Sequence, residues 1–276
     1  MALAETLSDR MKEYESNTQI KLIKKLPVIV RLDGRSFSKF TKGFEKPFDI
    51  EISDIFQRVT LALRKDIANA KFIYSQSDEI SILLTDWDSN KQEDGGRIDT
   101  WYDYRIQKIV SVASAVATAE FNKCIYARML ELKELEESAS IKGHTVYKEM
   151  CAKKYNLLSK KLFKAVFDAR VFNLPKDEVV NYFIYRQQDA LRNSISSFAR
   201  AFYSTKQLVG VNNPEKIEMV KEEFGIDFET EVSQLQKVGF TVITNLKADE
   251  IGKDKFELDI DIPIFKDNRD YIERYL

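Results

Sequence analysis

Two acidic segments in the first third of the chain have residue types that could bind metal ions. Asp33 follows an apolar, β-branched run at 26–32, and Asp78 lies in a polar segment between apolar runs at 72–74 and 80–84. If these runs are neighbouring strands, the two carboxylates meet at one edge of a sheet. Mg²⁺ takes oxygen ligands, and two such ions can activate a hydroxyl nucleophile and stabilise a leaving oxygen. Both segments are also ordinary turn sequences, so turn formation alone explains them too.

Two neighbours of these aspartates could support such a site. Gly34 has no Cβ, which would let a backbone carbonyl or amide approach an ion or a phosphate closely. Glu79 could ligate an ion itself or orient a residue that does. The expected site therefore consists of two aspartates with these two residues beside them.

Hydrophobic periodicity predicts the elements that must position these residues. Helices are predicted at 51–69, about 100–137, 146–166, 177–203 and 214–224, the first with Asp49 as its N-cap. Strands are predicted at 26–32, 72–74, 80–84, 167–172 and 240–244, with a weaker strand pattern at 256–262 and a loop at 87–96. No repeat or linker divides the sequence, so we expect one domain with a helical extension.

Composition excludes several classes of protein. Of the 276 residues, 44% are apolar and 32% charged, which is a globular balance, and the net charge of −1 gives no global sign of nucleic-acid binding. The single histidine, His144, excludes a zinc cage built from several histidines and argues against a histidine-based triad. Cys124 and Cys151 are far apart, and neither a signal peptide nor a membrane span is evident, so we expect a cytoplasmic protein.

Two charged groups leave alternatives open. Arg186, Asp189 and Asn193 are spaced as i, i+3 and i+7, so they share one helical face. That face could meet an RNA end or a triphosphate, or its Arg–Asp pair could support the helix or brace the sheet. A series of lysines could bind a phosphate backbone or form a solvated helix face. The lysines are Lys148, Lys153, Lys154, Lys160, Lys161 and Lys164.

Four segments together resemble the motifs of the tRNA(His) guanylyltransferase superfamily. Segment 31–41 (RLDGRSFSKFT), followed by KPFD at 46–49, resembles the first signature, and 74–81 (YSQSDEIS) resembles the second. Segment 167–172 (FDARVF) is similar to the stretch before the third signature, and 186–195 (RQQDALRNSI) is similar to the third itself. The segments occur in the family order with near-family spacing.

The resemblance implies an α+β fold like a polymerase palm, with a ferredoxin-like antiparallel sheet, helices on one face and a helical extension. It implies two Mg²⁺ ions held by Asp33, the Gly34 carbonyl and Asp78, with Glu79 as a further catalytic candidate. The implied nucleotide site comprises Asp33, Gly34, Arg35, Ser36, Phe37, Ser38, Lys46, Ser77, Asp78 and Lys108, the last beside Arg105. The candidates for contact with the RNA 5′ end are Arg186, Asp189, Arg192 and Asn193.

The implied activity is nucleotide addition to a tRNA 5′ end in the 3′-to-5′ direction. A 5′-monophosphate end is activated by ATP, or already carries a triphosphate, and the 3′-hydroxyl of an incoming GTP or other NTP attacks it. The resemblance also implies a homo-oligomer, a tetramer or a dimer, with no membrane partner. A nucleotide cyclase on a related palm and a non-catalytic RNA-binding protein are the alternatives.

Some positions depart from the eukaryotic guanylyltransferases. Ser38 and Leu191 stand where those enzymes carry histidines, and 192–195 (RNSI) is similar to the guanylyltransferase-like branch. This favours template-dependent repair of 5′ ends over untemplated addition of one G. The predicted organisation is one catalytic domain, 1–276, with a helical insertion at about 130–165 and a C-terminal extension from about 207.

Overall fold

A six-stranded sheet forms the centre of the computed structural model, which describes residues 6–87, 100–244 and 256–276. The strands are β1 (Val28–Gly34), β2 (Ala70–Gln76), β3 (Glu79–Leu84), β4 (Phe167–Asn173), β5 (Phe240–Thr244) and β6 (Phe256–Asp259). Their order is β4-β1-β3-β2-β5-β6, and every neighbouring pair is antiparallel. The predicted α+β, palm-like antiparallel sheet is therefore confirmed.

The helices cover both faces of this sheet, whereas the resemblance implied helices on one face only. Successive strand residues point to opposite faces, and the start of β1 presents buried apolar residues to both faces. Val28 and Val30 belong to the main core, whereas Ile29 belongs to a second core together with Val179 and Phe183. The expectation of helices on one face is wrong because the second face also presents buried apolar side chains, which require a covering helix.

Ten helices accompany the sheet in the described residues. They are α1 (Leu7–Ser16), α2 (Phe37–Phe40), α3 (Ile50–Asp66), α4 (Ile106–Ile141), α5 (Thr145–Ser159), α6 (Glu178–Phe202), α7 (Asn213–Phe224), α8 (Phe228–Glu231), α9 (Gln234–Val238) and α10 (Asp270–Glu273). The predicted N-cap is confirmed, since the Asp49 carboxylate accepts bonds from the amides of Glu51 and Ile52. Helices α3, α4 and α5 contribute to the main core, and α6 contributes to the second.

Several predicted boundaries differ from the observed ones. Helix α4 begins only at Ile106, because Tyr102 and Asp103 in the preceding 3-10 segment have positive φ. The helix predicted at 146–166 ends at Ser159, and β6 ends at Asp259. Of the predicted loop at 87–96, all but Trp87 lies outside the described residues.

The C-terminal third completes the sheet. Strand β5 pairs with β2, and β6 pairs with β5, so the segment after residue 207 supplies two of the six strands. None of the helices described here is long and apolar enough to cross a membrane. The division into insertion and extension stays a prediction.

Candidate active site

The two aspartates lie where two adjacent strands end. Asp33 is the penultimate residue of β1, and Asp78 lies in the two-residue turn that joins β2 to β3. The register pairs Asp33 with Glu79, and the Gly34 amide donates a hydrogen bond of 2.9 Å to the carbonyl of Asp78. The antiparallel pairing thus brings both aspartates to one edge of the sheet.

Burial and a neighbouring carboxylate make the ionised form of Asp78 unfavourable. Burial raises the pKa of its carboxyl group, and the nearby charge of Asp33 raises it further. The Ser77 hydroxyl, which donates a 3.0 Å hydrogen bond to Asp78 Oδ1, opposes this only in part. A divalent cation between the two carboxylates would relieve both the burial and the repulsion.

The donor set at this edge suits a hard cation. No group of three or more His, Cys, Asp or Glu side chains in residues 6–87, 100–244 and 256–276 is arranged to hold a metal ion. The oxygen donors that this edge offers are the carboxylates of Asp33 and Asp78, and the Gly34 carbonyl stays a predicted ligand. Mg²⁺ is usually bound in this way, by one or two carboxylates with substrate phosphates and water completing the coordination.

A cleft of about 700 Å³ opens beside the two aspartates. This volume lies in the range of small-molecule sites. Eight of the ten residues predicted for the nucleotide site line it: Asp33, Gly34, Ser36, Phe37, Ser38, Lys46, Ser77 and Asp78. The cleft thus combines the carboxylates, small hydroxyl side chains and a lysine in one place.

Gly34 is required here by side-chain packing. A Cβ on Gly34 would lie 2.3 Å from Cδ2 of Phe37. The Phe37 ring cannot easily move, because it packs against the rings of Phe40, Phe121 and Phe167. The lack of a side chain at position 34 therefore lets Phe37 pack into the core beside the end of β1.

Two residues predicted for the nucleotide site do not line the cleft. Arg35 is exposed, and its amide donates a 2.9 Å bond to the Val166 carbonyl. Lys108 lies on α4, 13 residues before Phe121, which is about 20 Å along the helix at roughly 1.5 Å per residue. Its ammonium lies 4.9 Å from the ring centroid of Tyr102. A phosphate contact by Lys108 in this cleft is therefore not supported by the structure.

Glu79 is bound by arginine. Arg186 reaches both of its carboxylate oxygens at 2.7 Å, and both side chains are only 7% exposed. Arg31 Nε lies 3.6 Å from the same carboxylate. Glu79 therefore connects β3 to α6, and its predicted catalytic role stays a prediction that its contacts do not favour.

The four RNA-end candidates on α6 fall into two groups: three are held in ion pairs, and one lines the cleft. Arg186 also donates to Asp189 at 3.0 Å, and Arg192 donates to Asp189 at 2.6 Å. These hydrogen bonds lower the pKa of Asp189, mainly through Arg192. Only Asn193 among the four candidates lines the cleft. The contacts made by the other three are those of the helix-supporting alternative.

The cleft also contains residues that the sequence did not indicate. Ser197 and Arg200 lie four and seven residues after Asn193 on α6, so helical periodicity from Asn193 could have identified them. Lys237 and Gly239 reach the cleft only through tertiary contact. A Cβ on Gly239, which has φ of 83°, would lie 2.2 Å from the Ser75 carbonyl oxygen, so this backbone approach requires glycine.

Comparison with known proteins gives one consistent family. The sequence model of the tRNAHis guanylyltransferase family matches residues 8–175. The tRNA(His) guanylyltransferase of Debaryomyces hansenii is 23% identical over 267 residues, which are 91% of this chain and 85% of that protein.

Solved structures give the same result at higher identity. A bacterial tRNA(His) guanylyltransferase-like protein in complex with ATP is 35% identical and superposes with a TM-score of 0.76 over 98% of this chain and 99% of that one. A bacterial protein of the same description in complex with GTP is 33% identical, with a TM-score of 0.68 and the same coverage.

Proposed function

This chain belongs to the tRNAHis guanylyltransferase family, and from that membership we propose that it extends tRNA 5′ ends in the 3′-to-5′ direction under the control of a template. The enzymes of this family are nucleotidyltransferases, and this chain is one of them. The single observation that carries the proposal is the pair Asp33 and Asp78, which share one wall of a nucleotide-sized cleft.

We propose that nucleoside triphosphates bind in this cleft. The similar bacterial proteins bind ATP and GTP, and the cleft offers Lys46 and Arg200 as cations for phosphate groups. Asp33 and Asp78 would hold Mg²⁺, which when bound neutralises phosphate charge and activates the attacking hydroxyl. Through this ion the two aspartates would position the triphosphate at the sheet edge. The buried Phe37 ring would exclude water from the core side of the site.

Template dependence is proposed from two positions. Ser38 lines the cleft, and Leu191 packs between the second core and a third apolar cluster around α6 and α7. Neither side chain can supply the imidazole that eukaryotic guanylyltransferases carry at these places. Base pairing with the opposite strand is then the remaining source of nucleotide choice. The expected homo-oligomer and cytoplasmic location stay predictions.

The test is an incorporation assay with defined RNA ends. A tRNA lacking its first 5′ nucleotide, with a 5′-triphosphate or with a 5′-monophosphate plus ATP, is offered each labelled NTP in turn with Mg²⁺. We expect incorporation only of the nucleotide that pairs with the opposing base. Changing that base is the matched control, and the incorporated nucleotide should change with it.

Two outcomes would contradict the proposal. Addition of a single G to intact tRNA(His), regardless of the opposing base, would mean guanylylation without a template. A cyclic nucleotide formed from NTP alone would mean a cyclase reaction.

A further inference from the structure

A group of cations without ion pairs lies beside the cleft, and one of them, Lys46, lines it. None of them makes an ion pair with any residue that the structure describes, although the whole chain carries a net charge of −1. Two segments supply them, one around α2 and one between α5 and β4. They are Arg35, Lys39, Lys42, Lys46, Lys160, Lys161 and Lys164.

Direct contacts join the two segments. The ammonium of Lys161 donates a 3.4 Å hydrogen bond to the Lys39 carbonyl and lies 5.5 Å from the ring centroid of Phe40. Burial lowers the pKa of Lys161, and the charges of Lys164 and Lys42 lower it further, which places three ammonium groups near one another. Such mutual repulsion opposes folding unless an anion is bound there.

Lys154 on α5 differs in this respect. Lys154 lies 3.3 Å from Glu51, a carboxylate that also binds Arg128. This lysine therefore has a structural partner within the fold. The phosphate-binding alternative considered for the lysine series is therefore not favoured for Lys154, whereas the lysines at 160–164 carry no ion pair among the described residues.

Phe163 is an exposed aromatic residue in a strained backbone conformation. Its φ is 57°, in the left-handed region, and its side chain is 71% exposed. For a bulky residue this conformation costs on the order of 1 kcal/mol or more. The ring recovers little of that cost by burial, so the fold itself does not account for a phenylalanine here.

We propose that Lys42, Lys161, Lys164 and Phe163, the lysine–Phe163 surface, bind the backbone and one unpaired base of the RNA substrate. Clustered ammonium groups suit successive phosphates, and an exposed ring suits stacking with a base that is not paired. The surface is continuous with the cleft, since Ser38 and Thr41 line the cleft immediately before Lys39 and Lys42. This inference rests on the proposed function, because it takes the RNA substrate from it.

The first test measures tRNA binding as a function of salt, with the variant Lys42→Gln/Lys161→Gln/Lys164→Gln. We expect at least about a 10-fold loss of affinity and a salt slope smaller by about 2, since each lost phosphate contact removes 0.7 to 0.9 of the slope, roughly. The matched control is Lys133→Gln/Lys176→Gln/Lys266→Gln, which removes three exposed lysines elsewhere and should retain most of the affinity.

The second test uses the strain at Phe163. In the variant Phe163→Gly, Tm should rise because glycine adopts this φ freely, whereas tRNA affinity should fall about 5-fold or more through lost stacking. Phe163→Tyr should keep the affinity. If Phe163 has no role in RNA binding, Phe163→Gly should raise Tm and leave tRNA affinity unchanged.

The outcomes separate this inference from the proposed function. If the wild-type protein transfers nucleotides to tRNA while both variants bind tRNA as tightly as wild type, the surface is rejected and the function stands. A raised KM for NTP with unchanged RNA affinity would also reject it, because the lysines would then serve the nucleotide. A wild-type protein that neither binds tRNA nor transfers nucleotides would reject both.

Discussion

Asp78 shows at the scale of one residue how a proposed metal ligand destabilises the folded state. Its carboxyl group is buried beside a like charge, so its pKa in the folded protein lies above the ordinary value of 3.8. The folded state then binds a proton more tightly than the unfolded state. The contribution of this group to the free energy of unfolding therefore falls as pH rises from about 4 through the raised pKa.

We predict that Asp78→Asn raises Tm at pH 7 in the absence of divalent cations. The amide keeps the shape of the side chain and removes the penalised charge. The variant should also lose part of the decrease in stability between pH 4 and neutrality, measured by calorimetry across that range. The exposed Asp267→Asn serves as control and should change neither quantity. A lower Tm for Asp78→Asn than for wild type would contradict this account.

At the scale of elements, an ion pair between β3 and α6 determines where α6 lies relative to the cleft. Helix α6 carries Asn193 to the cleft, and the ion pair between Glu79 and Arg186 fixes this helix to the strand that begins beside Asp78. The pair is nearly inaccessible to water. Breaking one partner would leave a buried charge unpaired, which is costly, whereas replacing both partners costs less.

We predict that Arg186→Met destabilises the protein by about 3–5 kcal/mol. Glu79→Gln/Arg186→Met should be more stable than the two single losses added together, because neither variant residue carries a charge. Chemical denaturation of the four proteins in this cycle gives the coupling energy. Arg58→Met breaks the exposed pair with Asp54 and is the control, with an expected cost below about 1 kcal/mol. Simple additivity at Glu79 and Arg186 would contradict the proposed link.

The whole molecule depends on its C-terminal third. Strands β5 and β6 cover the outer edge of β2, and the Tyr74 hydroxyl donates a 2.6 Å hydrogen bond to the Val238 carbonyl. Phe265 and Ile272 are fully buried in the second core. The segment after residue 207 is thus part of the central sheet and of its packing.

We predict that a chain ending at residue 206 does not fold cooperatively. It would expose the edge of β2 and lose the apolar side chains that cover Phe72 and Tyr74. Near-UV circular dichroism and thermal unfolding measure this. Removal of residues 1–16 is the matched control and should leave Tm nearly unchanged, because α1 contains no buried residue. A 1–206 chain with the Tm of the full protein would contradict the prediction.

Much of this architecture could be predicted because its signals are local. The strands β1 and β3, the helix α3 with its Asp49 cap, and the turn at Asp78 all follow from periodicity and turn chemistry. The second core could have been expected, because a continuous apolar run such as 26–30 is typical of a strand buried on both faces, but the sequence does not show which helix covers the second face.

The residues that form the cleft were harder to predict, because contacts between distant parts of the chain bring them together. The pairing of Arg186 with Glu79 joins residues 107 positions apart, so no local pattern shows that this arginine faces the sheet. Likewise Gly239 approaches Ser75 only after β5 has joined the sheet. The positive φ of Phe163 arises after α5 has ended at Ser159 and inside the range predicted as helix, so periodicity does not predict it.

The most direct test of the central claim is the single-turnover rate of nucleotide transfer to a tRNA 5′ end, measured against Mg²⁺ concentration for wild type, Asp33→Asn and Asp78→Asn. We expect both variants to lose at least about 100-fold in rate while remaining folded, because the charge that develops on the phosphates would lack its counter-charge. Asp267→Asn should transfer at the wild-type rate. A wild-type rate in either Asp33→Asn or Asp78→Asn would contradict the account.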